Sequence, residues 1–432
     1  MNLRRPLWPL ACGALLLLAT PSAPAEERPP ALPVEPGAAA LPDVLTLDTW
    51  LELVRWRSPA LAVERVGIDA ARADVVTAGT LPNPVVSSSR QAGRRGAASE
   101  HEAAIEQPLP IFGQRGLRQA NARLGVRAVR ARVDAQVASV QREAGLAFLA
   151  LQAADARVRL EEALLADFDD AARIVAGQVE AGSRSRYERT RIEVERAALS
   201  AAAERQRAEA AEAAARLALQ VGAPGWRPRT AAPPTLPAPA AAASQLWSTA
   251  RERLPAVRAA RADAAQARQR IDLERREAWP VPSFGVGRVR DGEGRHTVLG
   301  VAVAIPLFDR NQGPIARARA EADALVLRQD AVERQAEADL QRAADQFARR
   351  RALAERYQQE ALAPLPELRR MARDAYTLGR GGILEFIDAL TSAAEREATQ
   401  LDLLEAALAA ELDLRFATGQ AGGVGPLDHV QD

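Results

Sequence analysis

The sequence predicts a mainly α-helical chain with a small β part, built as a duplicated unit. Each unit holds a long antiparallel coiled-coil helical hairpin and one β-hairpin. Three observations carry this. Landmarks recur in order about 197 residues apart, alanine-rich runs of roughly 60 residues keep an apolar spacing of three and four, and two proline-bounded stretches hold short paired runs, the second alternating apolar with small residues.

The duplication is clearest at Leu-Pro-Ile-Phe-Gly-Gln-Arg-Gly, 109–116, and Ile-Pro-Leu-Phe-Asp-Arg-Asn-Gln-Gly, 305–313. Pro110 and Phe112 correspond to Pro306 and Phe308, which lead into Asp309, Arg310, Asn311 and Gly313. Pro59 matches Pro255, Pro84 matches Pro282, Gly182 matches Gly379 and Gly222 matches Gly419. The units span 45–222 and 244–419 and are joined by a Pro/Ala-rich linker, 223–243, expected to lack core residues of its own.

At the N-terminus, Arg4 and Arg5 precede the leucine run Ala14–Ala19 and the cleavage pattern Ala23-Pro24-Ala25. This reads as a signal peptide, 1–25, with a mature start at Glu26. Cys12, the single cysteine, precedes that run, whereas a lipid-anchored cysteine would follow it. Residues 26–44 are a proline-rich extended tail, and 420–432 form a C-terminal tail.

Composition excludes several classes. The chain has 57 basic residues, all arginine, against 56 acidic, so no nucleic-acid field is implied. Aromatics are only 4%, which together with abundant alanine favours slender, closely packed helices. No run of 18 apolar residues follows Glu26, so a membrane role would rest on strands. The histidines His101, His296 and His429 are scattered, with no catalytic set, cofactor motif or metal-ligand spacing around them. Met371 is the one methionine of the mature chain, too little for a soft-metal relay. The chain does not read as an enzyme.

Leu45 to Gly79 reads as helices broken at Ser58-Pro59, with Trp50, Leu53 and Val54 on one face. Leu-Pro-Asn-Pro at 81–84 stops them, because proline lacks a donor and restricts its predecessor. Strands are expected within about 84–107, as Val85–Gln91 and Glu100–Gln107, and again within about 283–305. The second pair is Phe284–Arg290 and Thr297–Ile305, around Asp-Gly-Glu-Gly. Trp279, Phe284, Phe112 and Phe308 sit near strand ends, as an interfacial belt or as core. Asp309 or Asn311 could equally be an N-terminal cap accepting backbone N–H groups.

Helices of about 60 residues should follow, 116–180 and 314–378, the second kinked by Pro364 and Pro366. Its stripe is Ala318, Ala322, Leu325, Val332, Ala336, Leu340, Ala343 and Phe347. Each run turns at a glycine, Gly182 or Gly379, and returns over 185–221 or 383–418. The second return carries Ile383, Ile387, Leu390, Ala394, Leu401, Leu408 and Leu412. One chain offers four strands, and a membrane barrel needs about eight, so closure needs several copies: two give eight strands and three give twelve. A periplasmic coiled-coil scaffold or adaptor is the alternative, but an adaptor has one helical hairpin and a scaffold leaves the paired β-hairpins unexplained.

On these features the chain resembles the TolC-type outer-membrane efflux channels over about 45–420. Pro-Leu-Phe-Asp-Arg-Asn-Gln-Gly-Pro-Ile-Ala, 306–316, looks like the branch serving heavy-metal (cobalt-zinc-cadmium) resistance pumps. The resemblance implies a homotrimer with a 12-stranded outer-membrane β-barrel and a periplasmic α-helical tunnel. It implies partners: outer-membrane lipid, a periplasmic adaptor docking at the tips around Gly182 and Gly379, and an inner-membrane RND-type transporter. It also implies a gate in which Tyr376 pairs with Glu188 and an aperture lined by Glu385 and Asp388. A gate arginine would sit where this chain has Gly381, leaving Arg380 or Arg184 as candidates. Read from the residues alone, Glu385 and Asp388 are also charges that a helix start favours, and Gly182 and Gly379 are turn glycines.

Overall fold

The computed structural model describes residues 41–91, 100–241, 243–291 and 294–420. The expected signal peptide, nearly all of the N-terminal tail and the C-terminal tail beyond 420 lie outside the described residues.

The chain opens with a short strand β1 (Val44–Leu45), α1 (Leu47–Arg57) and α2 (Pro59–Gly79). Thr46 and Thr49 cap α1 reciprocally, and Pro59 begins α2 at the position where its missing N–H has no partner to lose. The hairpin β2 (Val85–Gln91) and β3 (Glu100–Pro108) leads into α3 (Gln114–Glu180), and α4 (Arg186–Gln220) returns. At 67 residues, α3 is about 100 Å long. The linker holds β4 (Arg229–Thr230).

The second unit repeats this order: α5 (Ala243–Arg253), α6 (Pro255–Glu277), β5 (Ser283–Arg290), β6 (Arg295–Ala302), α7 (Gln312–Tyr357), α8 (Leu365–Thr377) and α9 (Ile383–Ala417). Local devices repeat with it. Both long helices start from a left-handed residue, Gly113 (φ 87°) and Asn311 (φ 60°). In each, the following glutamine accepts the N–H two residues before it, Phe112 to Gln114 and Arg310 to Gln312. Gly182, Gly222, Gly379 and Gly419 all end helices at positive φ, and the N–H groups that follow fold back onto the last turn. Asp309, not Asn311, accepts a backbone N–H at the second start, while the Asn311 amide donates to Glu274.

The two β-hairpins form one antiparallel sheet in the order β2-β3-β5-β6, and β3 pairs with β5 across the units. Among the described residues, β2 and β6 have unpaired outer edges. The strand expected to reach Ile305 ends at Ala302. Its partner there is Ser283, and Pro282 before it has no N–H to continue the ladder. Among the described residues, no helix is long and apolar enough to cross a membrane.

The core is strung along the helices as separate clusters. One joins Trp50, Leu51 and Val54 of α1 to Phe148 and Leu151 of α3, with Leu217 and Leu412. Another holds Val257, Leu340, Phe347 and Leu414. The apolar stripe of α7 is buried or half-buried throughout. Small residues set the spacing: a side chain at Gly145 of α3 would begin 2.7 Å from Leu412 of α9.

Two expectations need correction. The single helix 314–378 is three pieces, because a π-turn, Gln358–Leu362, separates α7 from α8. Pro364 can neither donate into a helix ladder nor fit its ring against the preceding turn, and the wide turn absorbs the break. The linker does have core residues. β4 pairs in parallel with β1, Asp155 accepts from the N–H (2.9 Å) and hydroxyl (2.8 Å) of Thr230, and Trp226 packs 6.1 Å from Trp50. The proline-rich linker has few donors, and those beside β4 are taken up: Asp43 and Leu45 carbonyls accept the N–H groups of Arg229 and Ala231, and Asp155 of α3 accepts that of Thr230.

Trp50 is fully buried, and its indole N–H donates to the Ala144 carbonyl at 2.8 Å. Trp50→Ala should cost about 3–5 kcal/mol and expose the linker to limited proteolysis around Trp226. Trp56, on the surface between Arg55 and Arg65, is the control whose alanine variant should leave the proteolytic map unchanged.

Candidate functional site

The turns α3–α4 and α8–α9 lie side by side over a common cluster of Phe168, Val175, Ile192, Tyr376, Ile383 and Phe386. Both turns reverse at a glycine in the left-handed region, which L side chains rarely adopt, so the reversals at Gly182 and Gly379 are tight. After Gly182, the Ser185 hydroxyl accepts the Glu188 N–H, and Glu188 accepts the Ser185 N–H at 3.1 Å. After Gly379, Glu385 accepts the Gly382 N–H at 3.2 Å, the half of the same device that a glycine cap permits.

Arg184 occupies the seam between the hairpins. Its guanidinium reaches Glu188 in the first turn of α4 (3.3 Å), the Tyr376 carbonyl (3.1 Å) and the Gly381 carbonyl (3.3 Å). It also lies over the Tyr376 ring, 4.8 Å from the centroid. With its side chain 18% exposed, it makes these contacts partly desolvated, where charge-assisted bonds and cation–π attraction are strongest.

The expected pairing of Tyr376 with Glu188 is therefore indirect. Tyr376 is 1% exposed and stacks on Phe386, with centroids 5.1 Å apart. Its hydroxyl has no hydrogen-bond partner among the described residues, and Glu188 spends its oxygens on Ser185 and Arg184. Burial raises the phenol pKa above its ordinary value and the Glu188 charge adds to this, against a smaller opposing pull from Arg184. The ring stays neutral at physiological pH.

Arg184, not Arg380, takes the arginine position at the seam. Arg380 is exposed and makes no ion pair among the described residues. Gly381 offers a carbonyl where a side chain would otherwise stand. Glu385 and Asp388 are both exposed near the start of α9, and Asp388 has no side-chain partner among the described residues. Phe386 was not singled out from the sequence; its position inside the Ile383/Ile387 stripe was the available signal. Between the turns is a groove of about 720 Å³, lined by Arg184, Tyr187, Glu188, Ile383, Leu384 and Glu385 among others.

The repeated Pro-x-Phe stretches lie elsewhere, where the sheet meets the long helices. Phe112 packs on Trp279 at 5.4 Å, and its carbonyl accepts from Arg276. Phe308 is 91% exposed and Phe284 is exposed as well, so these aromatics divide between packing and surface. Among the described residues, no group of three or more His, Cys, Asp or Glu is placed to hold a metal ion.

A family model described as outer membrane efflux protein matches residues 246–420. The cobalt-zinc-cadmium resistance protein CzcC of Cupriavidus metallidurans is 28% identical over 312 residues, covering 68% of this chain and 70% of that protein. The nickel-cobalt-cadmium resistance protein NccC of Alcaligenes xylosoxydans xylosoxydans is 26% identical, covering 78% and 74%. Among solved structures, the membrane channel CusC superposes with a TM-score of 0.68 at 20% identity, over 86% of this chain and 91% of that one. That likeness is one of fold.

The tip geometry separates two variants. Arg184→Ala removes every bond that this side chain makes across the seam and leaves Glu188 half-paired. It should weaken the tip by about 1–3 kcal/mol, read as faster amide exchange over 183–188 and 376–385. Tyr376→Phe deletes a hydroxyl without a partner among the described residues and should leave that exchange unchanged.

Proposed function

We propose that this chain, whose residues 246–420 match the family model of outer membrane efflux proteins, works as a homotrimeric conduit from periplasm to exterior. The observation that carries this is the sheet: four strands with two free edges, at one end of helices that reach about 100 Å. In hydrocarbon each unpaired backbone group costs several kcal/mol, so the outer edges of β2 and β6 must be paired. Three copies would make a 12-stranded barrel, and their helices would continue it as a tunnel. The repeats 45–222 and 244–419 would each contribute one strand pair and one helical hairpin, in a mature chain starting at Glu26.

The tip is where such a tube would close. Arg184, held by Glu188, Tyr376 and the Gly381 carbonyl, would latch the two hairpins of one subunit together. Glu385 and Asp388, three residues apart and exposed, would ring the aperture with six carboxylates in a trimer. The groove between the turns, with exposed Tyr187 and Leu384, suits docking of a periplasmic adaptor that couples an inner-membrane RND-type transporter. The names of the two metal-resistance relatives favour divalent heavy-metal cations as cargo. Energy and cargo choice would reside in the partners, leaving this chain a passive path.

Crosslinking in mild detergent should give a heat-resistant three-chain species; a monomer that conducts ions in bilayers would overturn the proposal. In single-channel recordings, Glu385→Ala with Asp388→Ala should lower the preference for cations over anions several-fold and weaken block by multivalent cations. Unchanged selectivity would make these carboxylates ordinary helix-start charges.

A further inference from the structure

The register of the sheet aligns side chains into rows that cross all four strands, and directly paired residues share a face. One row is Val86, Ile105, Val286 and Leu299, each exposed. On the same face, four residues nearer the hairpin turns, the row is Arg90, His101, Arg290 and Arg295, also exposed. At 3.3 Å per residue the basic row lies about 13 Å beyond the apolar one. Arg288 stands between them on that face. Of the acidic residues at this end, Glu100 and Glu102 point to the opposite face, since neighbours along a strand alternate, and Asp291 after β5 lies 3.9 Å from His296, which also faces away from the row.

These arginines are unlike those of the helices. Arg90, Arg288, Arg290 and Arg295 form no ion pair among the described residues, while the helical arginines repeatedly pair with carboxylates at one-turn spacing. Like charges directly opposite on adjacent strands destabilise a sheet, and Arg290 faces Arg295 in this way. An anion bridging the row would remove that cost. Guanidinium groups suit phosphate oxygens, which they bind in a bidentate fork.

We propose that this row binds phosphate-bearing lipid headgroups of the outer leaflet, with the acyl chains lying on the apolar row. The proposal rests on reading the sheet as part of an outer-membrane barrel, which puts the hairpin turns on the outer side. A free phosphate would satisfy the charges but leave the adjoining apolar row uncovered. Only a molecule with both parts fits the pair of rows.

The test uses the full chain purified in mild detergent, with bis-phosphorylated lipid A or its dephosphorylated form, and retained lipid counted by native mass spectrometry. Wild-type protein should retain the phosphorylated lipid, less so as salt rises, and millimolar inorganic phosphate should not displace it. Arg90→Gln, Arg290→Gln and Arg295→Gln together should weaken retention about tenfold, while lysine at all three positions should keep most of it. Equal retention of both lipids, displacement by phosphate, or no change in the glutamine variant would overturn the assignment. Three-chain assembly and conductance are followed in the same samples. If both persist while lipid preference is absent, the headgroup assignment falls and the conduit reading stands; if wild-type protein does not assemble, the conduit reading falls and takes this one with it.

Discussion

The constraint on which the rest depends is the pair of open edges on β2 and β6. Two hairpins from two repeats merge through β3 and β5, so the chain pairs internally as much strand as it has. What remains is a row of backbone donors and acceptors on each side. Water can satisfy them, and hydrocarbon cannot. The sheet's apolar face is exposed, with Val86, Leu299 and Val301 each about three-quarters open. A surface of that kind beside unpaired edges is stable in a membrane if another copy supplies the missing strand.

The helices answer a different demand, length with little core. Clusters of buried residues sit at intervals along the bundle instead of around one centre. Alanine and Gly145 let the helices approach closely, so stability accumulates along the axis. Pro364 and the π-turn before it divide the outgoing helix of the second unit, so α8 is a short segment between that break and the tip turn. The corresponding helix of the first unit, α3, runs unbroken.

Much of this was legible in the residues. Proline landmarks gave the duplication, three-and-four spacing gave the α7 and α9 faces, alternation gave the second hairpin to within a few residues, and proline bounds with a Gly/Arg/Ser loop gave the first. What escaped depends on partners far away in sequence. The linker looked coreless because its few apolar residues have no period, yet Asp155 and Trp50, distant along the chain, hold it in place. The pairing of Tyr376 with Glu188 came from the family resemblance, which left Arg184 and Arg380 open as the arginine beside it; the residues alone did not choose between them. Arg184 reaches the other hairpin through backbone carbonyls, and carbonyls carry no sequence signature. That β3 would pair with β5 was likewise invisible, since strands 180 residues apart find each other through the whole bundle.

Amide hydrogen exchange of the assembled protein in mild detergent tests the central claim most directly. If copies close the sheet, the outer amides of β2 and β6 are hydrogen-bonded and should exchange as slowly as those of β3 and β5. Fast exchange along β2 and β6, with β3 and β5 still protected, would mean that the edges stay open and that the four strands do not belong to a closed barrel.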